Sequence, residues 1–474
     1  MADVPLDLRW RSAADLAAAI RTRELSSVEV LDHHLDRIAV VDPALNAVVF
    51  LAERAELRAL AEAADRAVAA GGRLGPLHGL PVAVKDLMDV RGMPTTHGSR
   101  AHADAAPAQA DHLMVARMRA AGAIVVGKTN TPESGLGTLT LNDLFGPTRN
   151  PWDTTRHAGG SSGGAAAAVA AGLLPIADGS DSGGSLRYPA SFCNVVGLRP
   201  SAGRVPSSRA GDAWSPHGTL GPMARTCADA GLLLAGMAGP HPDAPLSLHG
   251  DPATFAGVEP TGLRGLRVAW SETVGGLPID PVVTEALRGT RALLEEHRCV
   301  VEDVEPDMEG ADECWEVIEL LGFLMYSGAE VDEHPGLLRD DLVRNVREAR
   351  ELTPDRIVAA QSKRSELFRR TARLLERHDV LATPATPVTA PPTEVPWVRE
   401  VAGVPMERYF DWQRVACRVT ATSHPVLALP GAFAADGLPI GLQLVGRHRD
   451  ELGLLRIGAA IEAATGLTDR HPSL

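Results

Sequence analysis

Serine, glycine and lysine residues in three stretches of the sequence could together carry out nucleophilic chemistry. Residues 159–164 read GGSSGG, residues 181–187 read DSGGSLR, and Lys85 ends a short apolar run. A serine hydroxyl is a weak nucleophile until a base removes its proton, and a lysine amine can be that base when burial favours its neutral form. The residue types therefore allow acyl transfer by a serine, although a surface lysine paired with Asp86 is the simpler interpretation of Lys85 on spacing alone.

The GGSSGG block has three other interpretations. A flexible linker is disfavoured because an alanine-rich helix-forming run begins at Ala165. A phosphate-binding loop is disfavoured because neither G-x-x-x-x-G-K-[ST] nor G-x-G-x-x-G occurs here. Residues 160–164 do satisfy G-x-S-x-G, the nucleophile elbow, with Ser162 as the nucleophile. That elbow should follow a strand, whereas residues 153–157 are polar and typical of a loop, and no HGGG sequence is present.

Two adjacent glycines precede Ser185. Gly183 and Gly184 permit a tight turn in which successive backbone amides point the same way. Such a row of N–H groups can stabilise the oxyanion of a tetrahedral intermediate. A glycine-rich turn without a catalytic role is the alternative.

Composition and charge limit the class of protein. The chain has 474 residues and a net charge of −14, which argues against a nucleic-acid partner because neutralising phosphates requires a basic surface. The five cysteines are widely spaced and form no C-x-x-C. We therefore expect no disulfide framework, no zinc site, and a reducing, cytoplasmic location. We expect no signal peptide in residues 1–10 and no membrane span, since no apolar stretch reaches roughly 18 residues.

Hydrophobic periodicity predicts the elements that must hold these residues. Ser12 with Asp15 and Ser26 with Glu29 indicate capping boxes that begin two helices. Further helices are predicted over residues 52–70, 110–121 and 165–171. Strands are predicted over residues 80–84, 123–126, 173–177, 266–270, 380–383, 426–429 and 439–445, the last two joined by a turn at 436–437. This order of strands and helices indicates an α/β sheet.

The segment of residues 307–378 differs from the rest of the chain. It is charged and helical in pattern, and Thr353-Pro354 is typical of a helix start. Trp315, Phe323 and Met325 form part of an aromatic and methionine cluster, although aromatic residues make up only 4% of the chain.

Taken together, these stretches resemble the amidase signature family. Residues 159–206 resemble the signature itself, and residues 79–86, GLPVAVKD, resemble the family's lysine strand. Further matching motifs lie at residues 121–133, at residues 221–225 and at residues 437–443. The similarity covers almost the whole chain and is weakest over residues 307–378. Such motifs are far more specific in combination than singly.

The resemblance implies an α/β amidase-signature fold, in which many α-helices sandwich a mixed, twisted central β-sheet. It implies a single amidase domain over residues 1–474, with the signature core at about 75–230 and a variable helical segment that lines the substrate site at about 307–378.

The resemblance also implies a Ser-cisSer-Lys triad. Lys85 corresponds to the base, Ser161 to the bridging serine held by a non-proline cis peptide, and Ser185 to the nucleophile. The implied oxyanion hole consists of the amides of Ser182, Gly183, Gly184 and Ser185. Neither a metal ion nor an organic cofactor is expected.

Three further residues are expected to support this site. Ser162 would be a structural hydroxyl beside the bridging serine. Asp181 and Arg187 would brace the nucleophile loop as an ion pair, with a weak surface ion pair as the alternative. The chain departs from the family at Ser182 and Ser201, where threonine is common, and at Asn194, which replaces a common glycine behind the site.

The expected function is hydrolysis, through an acyl-enzyme, of a non-peptide carbon–nitrogen bond in a medium-sized apolar or aromatic amide, with ester or carbamate hydrolysis also open. Candidate residues for an apolar substrate pocket are Met88, Trp214, Trp315, Phe323, Met325 and Tyr326, although core packing is the alternative for each. A small-molecule substrate is the only expected ligand, and the chain is expected to be a monomer or homodimer. The rival functions are glutamine hydrolysis as one component of a tRNA-dependent amidotransferase and a catalytically silent binding role.

Overall fold

A computed structural model describes residues 7–207 and 213–474 of the chain. The expectation that residues 1–10 hold no signal peptide rests largely on residues 1–6, which lie outside the described residues. The helices are α1 (Ala13–Thr22), α2 (Ser27–Leu45), α3 (Arg54–Ala69), α4 (Leu113–Ala120), α5 (Gly163–Ala170), α6 (Arg187–Cys193), α7 (Cys227–Met237), α8 (Pro281–Glu296), α9 (Ala311–Glu333), α10 (Asp340–Arg350), α11 (Pro354–Arg377), α12 (Arg414–Ala421) and α13 (Glu451–Thr465).

The strands belong to one large sheet and two short ladders. They are β1 (Val48–Leu51), β2 (Pro81–Lys85), β3 (Ile124–Thr129), β4 (Arg149–Asn150), β5 (Asp153–His157), β6 (Ile176–Asp181), β7 (Val196–Arg199), β8 (Thr219–Ala224), β9 (Arg267–Trp270), β10 (Val300–Asp303), β11 (Val380–Pro384), β12 (Glu400–Val401), β13 (Val404–Pro405), β14 (Val426–Phe433) and β15 (Pro439–Val445).

Within the described residues, the large sheet is mixed and has the strand order β1-β3-β2-β6-β8-β7-β14-β15-β11-β9-β10. Strand β2 is parallel to both β3 and β6, whereas β8 is antiparallel to β6 and β7. Helices pack on this sheet, for example α5 on β6 and α6 on β15. The predicted α/β class with a mixed central sheet between helices is therefore confirmed.

The alternation of side chains along β2 turns Lys85 towards helix α5. Val82 and Val84 belong to one apolar cluster, and Ala83 belongs to a second cluster together with the alanines of α5. Side chains two positions apart on a strand share a face, so Lys85 follows Ala83 onto the side that α5 covers. The strand thus delivers a lysine amine to the N-terminus of α5, where the GGSSGG block lies.

Most predicted elements are present, with informative differences at their ends. Ser12 accepts a hydrogen bond from the Asp15 amide, but the full reciprocal capping box forms only between Ser26 and Glu29. The strand predicted over residues 173–177 begins only at Ile176. The preceding amides of Leu173 and Leu174 instead bond to the carbonyl of Ala168, which closes the C-terminus of α5.

Residues 153–157 were expected to form a loop, and this expectation is wrong. They form strand β5, which pairs antiparallel with β4 outside the main sheet. Their polar sequence fits a small, partly exposed ladder, which needs no apolar run.

The segment of residues 307–378 is helical, as predicted, and consists mainly of α9, α10 and α11. Helix α11 begins with Thr353 as its N-cap and Pro354 in its first turn, which confirms the predicted start. In residues 7–207 and 213–474, no helix is both long enough and apolar enough to cross a membrane.

Candidate active site

The Lys85 side chain is fully buried at the end of β2. Its amine nitrogen lies 2.7 Å from Ser161 Oγ, 3.0 Å from Ser162 Oγ and 3.0 Å from Ser180 Oγ. The Lys85 backbone N–H donates to Asp178 Oδ1 at 2.9 Å, which fixes the strand end to β6. Burial raises the pKa of Asp178 to about 6, against the lowering effects of this N–H and of nearby lysine charges.

The simpler interpretation of Lys85, a surface lysine paired with Asp86, is wrong. Asp86 is also buried, and its carboxylate lies 3.0 Å from the amine of Lys128 on the neighbouring strand β3. A strand alternates its side chains between two faces, so the consecutive residues Lys85 and Asp86 reach different surroundings.

The GGSSGG block forms the turn that leads into α5. The peptide bond between Gly160 and Ser161 is cis, as the family resemblance implies. The Thr140 hydroxyl donates to the carbonyl of Ser161 at 3.4 Å and accepts from the Gly163 amide at 3.0 Å. Thr140 therefore supports the turn from below while the Ser161 hydroxyl meets Lys85.

The Ser162 hydroxyl is occupied by structural contacts. It donates to the carbonyl of Ser180 at 3.4 Å, accepts from the Ser180 amide at 3.3 Å and contacts Lys85. Ser162 is fully buried and, unlike Ser161, does not line the cavity described below. This environment disfavours Ser162 as an elbow nucleophile.

Ser185 lies just before α6 and lines the same cavity as Ser161. Its backbone carbonyl accepts a hydrogen bond from the Ser162 amide at 3.1 Å, which ties the two serine blocks together. Among the hydrogen bonds of the described residues, none joins the Ser185 hydroxyl to the Ser161 hydroxyl. Catalytic contacts are often long in a protein without substrate and tighten when the substrate binds.

Asp181 and Arg187 form a buried bidentate pair behind the nucleophile. Arg187 donates to both carboxylate oxygens, at 2.9 Å and 2.8 Å, and neither side chain is exposed. Burial alone would raise the pKa of Asp181, but the charges and hydrogen bonds of Arg187 and the charge of Arg199 hold it well below its usual range. The surface-pair alternative therefore does not apply.

Each peptide carbonyl in the loop before Ser185 has a donor of its own. Arg199 donates to the carbonyl of Asp181, and the Arg187 and Tyr188 amides donate to that of Gly184 at 2.9 Å and 2.8 Å. The remaining two carbonyls, of Ser182 and Gly183, accept from Trp315 Nε1 at 2.7 Å and from the Cys417 thiol at 3.9 Å.

Because a trans peptide directs its C=O and N–H in opposite directions, these donors fix where the following amides point. The Gly184 amide already donates to Asp181 Oδ1 at 2.9 Å. The other candidate oxyanion donors are the amides of Ser182, Gly183 and Ser185.

A cavity of about 1150 Å³ opens above Ser161 and Ser185. This volume is sufficient for a drug-sized ligand. Five of the six apolar residues proposed for the substrate pocket line it, namely Met88, Trp214, Phe323, Met325 and Tyr326. Trp214 is 72% exposed and Met325 47% exposed, so they lie at the rim of the cavity.

Trp315 does not line the cavity, contrary to the sequence-based expectation. It is buried behind the nucleophile loop because its indole N–H bonds to Ser182 and its ring packs against Gly183. A Cβ atom at position 183 would come within 2.8 Å of Trp315 Cζ2. Only glycine therefore fits between the indole and the cavity.

A carboxylate and an imidazole beside the nucleophile loop were missed by sequence reasoning. Glu319 Oε1 accepts from the Ser182 hydroxyl at 3.0 Å, and Glu319 Oε2 lies 2.9 Å from His217 Nε2. Burial lowers the pKa of His217, while Glu319 acts in the opposite direction. Glu319 lies on α9 and His217 just before β8, so no local sequence pattern connects them.

Ser180 and Asp178 were also missed, although a signal was available. They alternate along β6, so both reach the surroundings of Lys85. Extending the predicted strand beyond Ala177 would have put the two residues on one face.

Asn194, which replaces a common family glycine, ends helix α6 in the left-handed conformation with φ 58°. Asparagine tolerates this conformation better than most residues. Its side-chain amide also donates to the carbonyl of Leu467 at 2.9 Å. The substitution therefore preserves the turn behind the site. No group of His, Cys, Asp and Glu side chains suited to a metal ion occurs in residues 7–207 and 213–474.

The chain is similar to known hydrolases over nearly its whole length. A sequence model of the family described as Amidase matches residues 29–455. The chain is 36% identical to an acylamidase of Rhodococcus erythropolis over 471 residues, 98% of each chain. It is 37% identical to an amidase of Pseudomonas putida, covering 97% of each chain, and 36% identical to the glutamine-hydrolysing-type relative from Acidothermus cellulolyticus, a component of the Glutamyl-tRNA(Gln) amidotransferase, covering 97% of this chain and 95% of that protein. The crystal structure of a bacterial aryl acylamidase belonging to the amidase signature enzymes superimposes with a TM-score of 0.90 at 28% identity, covering 97% of this chain and 98% of that one.

Proposed function

Because this chain belongs to the amidase family and is a hydrolase of carbon–nitrogen bonds other than peptide bonds, we propose that it acts through Lys85, Ser161 and Ser185. The observation that carries this proposal is the buried Lys85 amine 2.7 Å from Ser161 Oγ, beneath a cavity that Ser161 and Ser185 line. A hydroxyl nucleophile needs a base, and this amine is a buried base that reaches the cavity through a single hydroxyl.

The proposed reaction begins with proton transfer along three side chains. Ser185 Oγ attacks the substrate carbonyl while its proton passes to Ser161 and the Ser161 proton passes to a neutral Lys85 amine. Burial disfavours the charged form of a lysine, which supports this starting state. The proton then returns through Ser161 to the leaving amine as the C–N bond breaks. Water attacks the resulting ester by the same route and releases the carboxylate product.

The oxyanion of the tetrahedral intermediate would be held by backbone amides of the nucleophile loop. We assign this role to the amides of Ser182, Gly183 and Ser185. The Gly184 amide, also expected from the sequence to take part, instead donates to Asp181. Preorganised donors of this kind stabilise developing charge most effectively where water is excluded. No metal ion or organic cofactor takes part in this scheme.

The proposed substrate is a medium-sized amide with an apolar or aromatic group, and an ester or carbamate would be cleaved by the same steps. Phe323, Met325, Tyr326 and Ile318 present apolar surface to the cavity from one helix, α9. The similarity to acylamidases supports this class. Glutamine hydrolysis within an amidotransferase remains the rival, because the amidotransferase relative is as similar in sequence as the acylamidase.

A fluorophosphonate probe tests the catalytic assignment directly, because it phosphonylates an activated serine. We expect the label on Ser185 and none on Ser185→Ala. We expect Ser161→Ala to lower the labelling rate by about 10³-fold, since the path from base to nucleophile is cut. Ser162→Ala is the matched control, because it removes a neighbouring hydroxyl that also contacts Lys85, and we expect a loss of no more than about tenfold.

A label on Ser162, or a larger effect of Ser162→Ala than of Ser161→Ala, would instead support the elbow interpretation. A complete absence of labelling would support a silent binding protein. The purified chain should then be assayed alone with p-nitroanilides, primary amides, carbamates and glutamine. Activity on glutamine alone, and only with added partner proteins, would favour the amidotransferase rival.

A further inference from the structure

Helix α9 of the divergent segment contacts the nucleophile loop through one buried indole. Trp315 Nε1 donates to the carbonyl of Ser182 at 2.7 Å, and the ring edge packs against Gly183. Trp315 itself is only 3% exposed. The contact therefore lies on the side of the loop away from the cavity, where no substrate competes for it.

The peptide unit that Trp315 holds is the one that carries the Gly183 amide. The Ser182 carbonyl and the Gly183 N–H belong to the same rigid plane and point in opposite directions. Glycine on one side of this plane leaves the backbone with unusual rotational freedom. A donor on the carbonyl from behind therefore directs the N–H towards the cavity, where the oxyanion would form.

The first turn of α9 is itself fixed, so Trp315 is a rigid anchor. Asp312 accepts a bidentate pair of hydrogen bonds from Arg418 of α12 at 2.9 Å and 2.7 Å. Arg418 also donates to the carbonyls of Val274 and Gly275, at 3.0 Å and 2.7 Å. The charge on Asp312 is thus held by a guanidinium that three separate parts of the chain share.

We propose that Trp315 is a positioning residue for the hydrolytic reaction, which aims the Gly183 amide at the oxyanion by holding the Ser182 carbonyl from behind. This inference rests on the proposed role of Ser185 and its loop. It assigns to the divergent helical segment a part in the chemistry as well as in forming the substrate cavity. The indole N–H acts only through the peptide plane and touches no reacting atom.

The test removes the N–H and keeps the ring. Trp315→Phe removes the donor, and replacement of Trp315 by 3-benzothienylalanine keeps both rings while sulfur replaces the N–H. A fluorophosphonate also develops negative charge on an oxygen that needs the oxyanion donors. We expect both variants to lower its maximal labelling rate by about tenfold, less than the 10²–10³-fold caused by deleting a donor outright. The half-saturating probe concentration should stay within about twofold.

A matched control is available in Trp270, which is buried at 2% exposure and whose indole nitrogen has no hydrogen-bond partner in the described residues. Trp270→Phe should change the labelling rate by less than about twofold. Phenyl trifluoromethyl ketone, whose serine adduct carries an oxyanion, should bind both Trp315 variants about tenfold more weakly. These results together would support the proposal.

Labelling and ketone affinity of the benzothienylalanine variant equal to those of the Trp270→Phe control would overturn it, and that variant decides if Trp315→Phe does not fold. Labelling that survives Ser185→Ala would overturn the proposed function itself, so the two failures are distinguishable.

Discussion

Two buried lysines lie at the ends of neighbouring strands and have opposite surroundings. In the parallel ladder of β2 and β3, Val84 pairs with Lys128 and Lys85 with Thr129, and both lysines are fully buried. Lys128 lies 3.0 Å from the Asp86 carboxylate and donates to the Pro94 carbonyl at 3.2 Å. Lys85 instead contacts three serine hydroxyls at 2.7 Å to 3.0 Å.

The chemistry of these partners shows how one residue type serves two purposes. A carboxylate and a carbonyl only accept hydrogen bonds, so Lys128 must supply protons to them and is suited to the ammonium form. A hydroxyl can accept or donate, so the hydroxyls around Lys85 can receive its two amine hydrogens and also offer a proton to its lone pair. Burial is the same for both lysines, and the partners decide which one can act as a base.

The largest expected effect comes from removing the Lys85 amine. Lys85→Met should lower kcat by about 10⁴-fold, the upper range for loss of a general base, which corresponds to about 5.5 kcal/mol in the activation barrier. The fold should survive, because methionine fills the volume and removes a polar group that is costly to bury. The measurements are kcat on the best substrate of the panel and the midpoint of thermal unfolding. A variant that keeps more than a tenth of the activity would contradict the base assignment.

Removing the other lysine should have the reverse outcome. Lys128→Met leaves the Asp86 carboxylate buried without its counter-charge, and we expect the free energy of unfolding to fall by about 3 kcal/mol. The activity per folded molecule should stay within about tenfold of wild type, because Lys128 contacts none of the three serines. Urea unfolding followed by circular dichroism measures the loss.

The double variant Asp86→Asn/Lys128→Met is the control for this effect. It removes both charges, so it should recover part of the lost stability. If the double variant is no more stable than Lys128→Met, the ion pair is not the cause.

The sequence predicts the strands with continuous apolar runs and misses those interrupted by glycine or proline. Strand β15 has the predicted bounds, Pro439–Val445, because its buried run is uninterrupted. Strand β8 was missed, although it lies between β6 and β7 in the sheet and is fully buried. Its sequence TLGPMA contains a glycine and a proline, which local propensity counts against a strand. Pairing on both sides overrides that preference.

The site divides in the same way between local and distant contacts. Lys85, Ser161 and Ser185 could be assigned because each lies in a recognisable block of the sequence. Glu319 and His217 could not, because their contact joins residues that are 102 positions apart and neither lies in a motif. Trp315 was noticed for its rarity, but its orientation depends on the tertiary packing of α9 against the nucleophile loop.

The smallest expected effect concerns Asp178, the carboxylate that bonds to the Lys85 backbone N–H. Burial raises its pKa from 3.8 to about 6, so it carries a negative charge above that pH. Asp178→Asn preserves the acceptor but removes the charge, which disfavours the ammonium form of the nearby Lys85. The acidic limb of the kcat profile should therefore move to lower pH by about half a unit, while the alkaline plateau changes only by a constant factor. The measurement is kcat from about pH 5 to pH 9 for both proteins.

The pH dependence of stability shows whether this substitution acts through charge. Since the folded chain holds the Asp178 proton more tightly than the unfolded chain does, wild type should lose stability as the pH rises through the window from 3.8 to about 6. Asp178→Asn has no such proton, so its unfolding free energy should rise relative to wild type across the same window. A constant difference in unfolding free energy, together with an unmoved acidic limb, would mean that Asp178 is neutral at both ends of the window. The different surroundings of Lys85 and Lys128 would then depend on the serines and Asp86 alone.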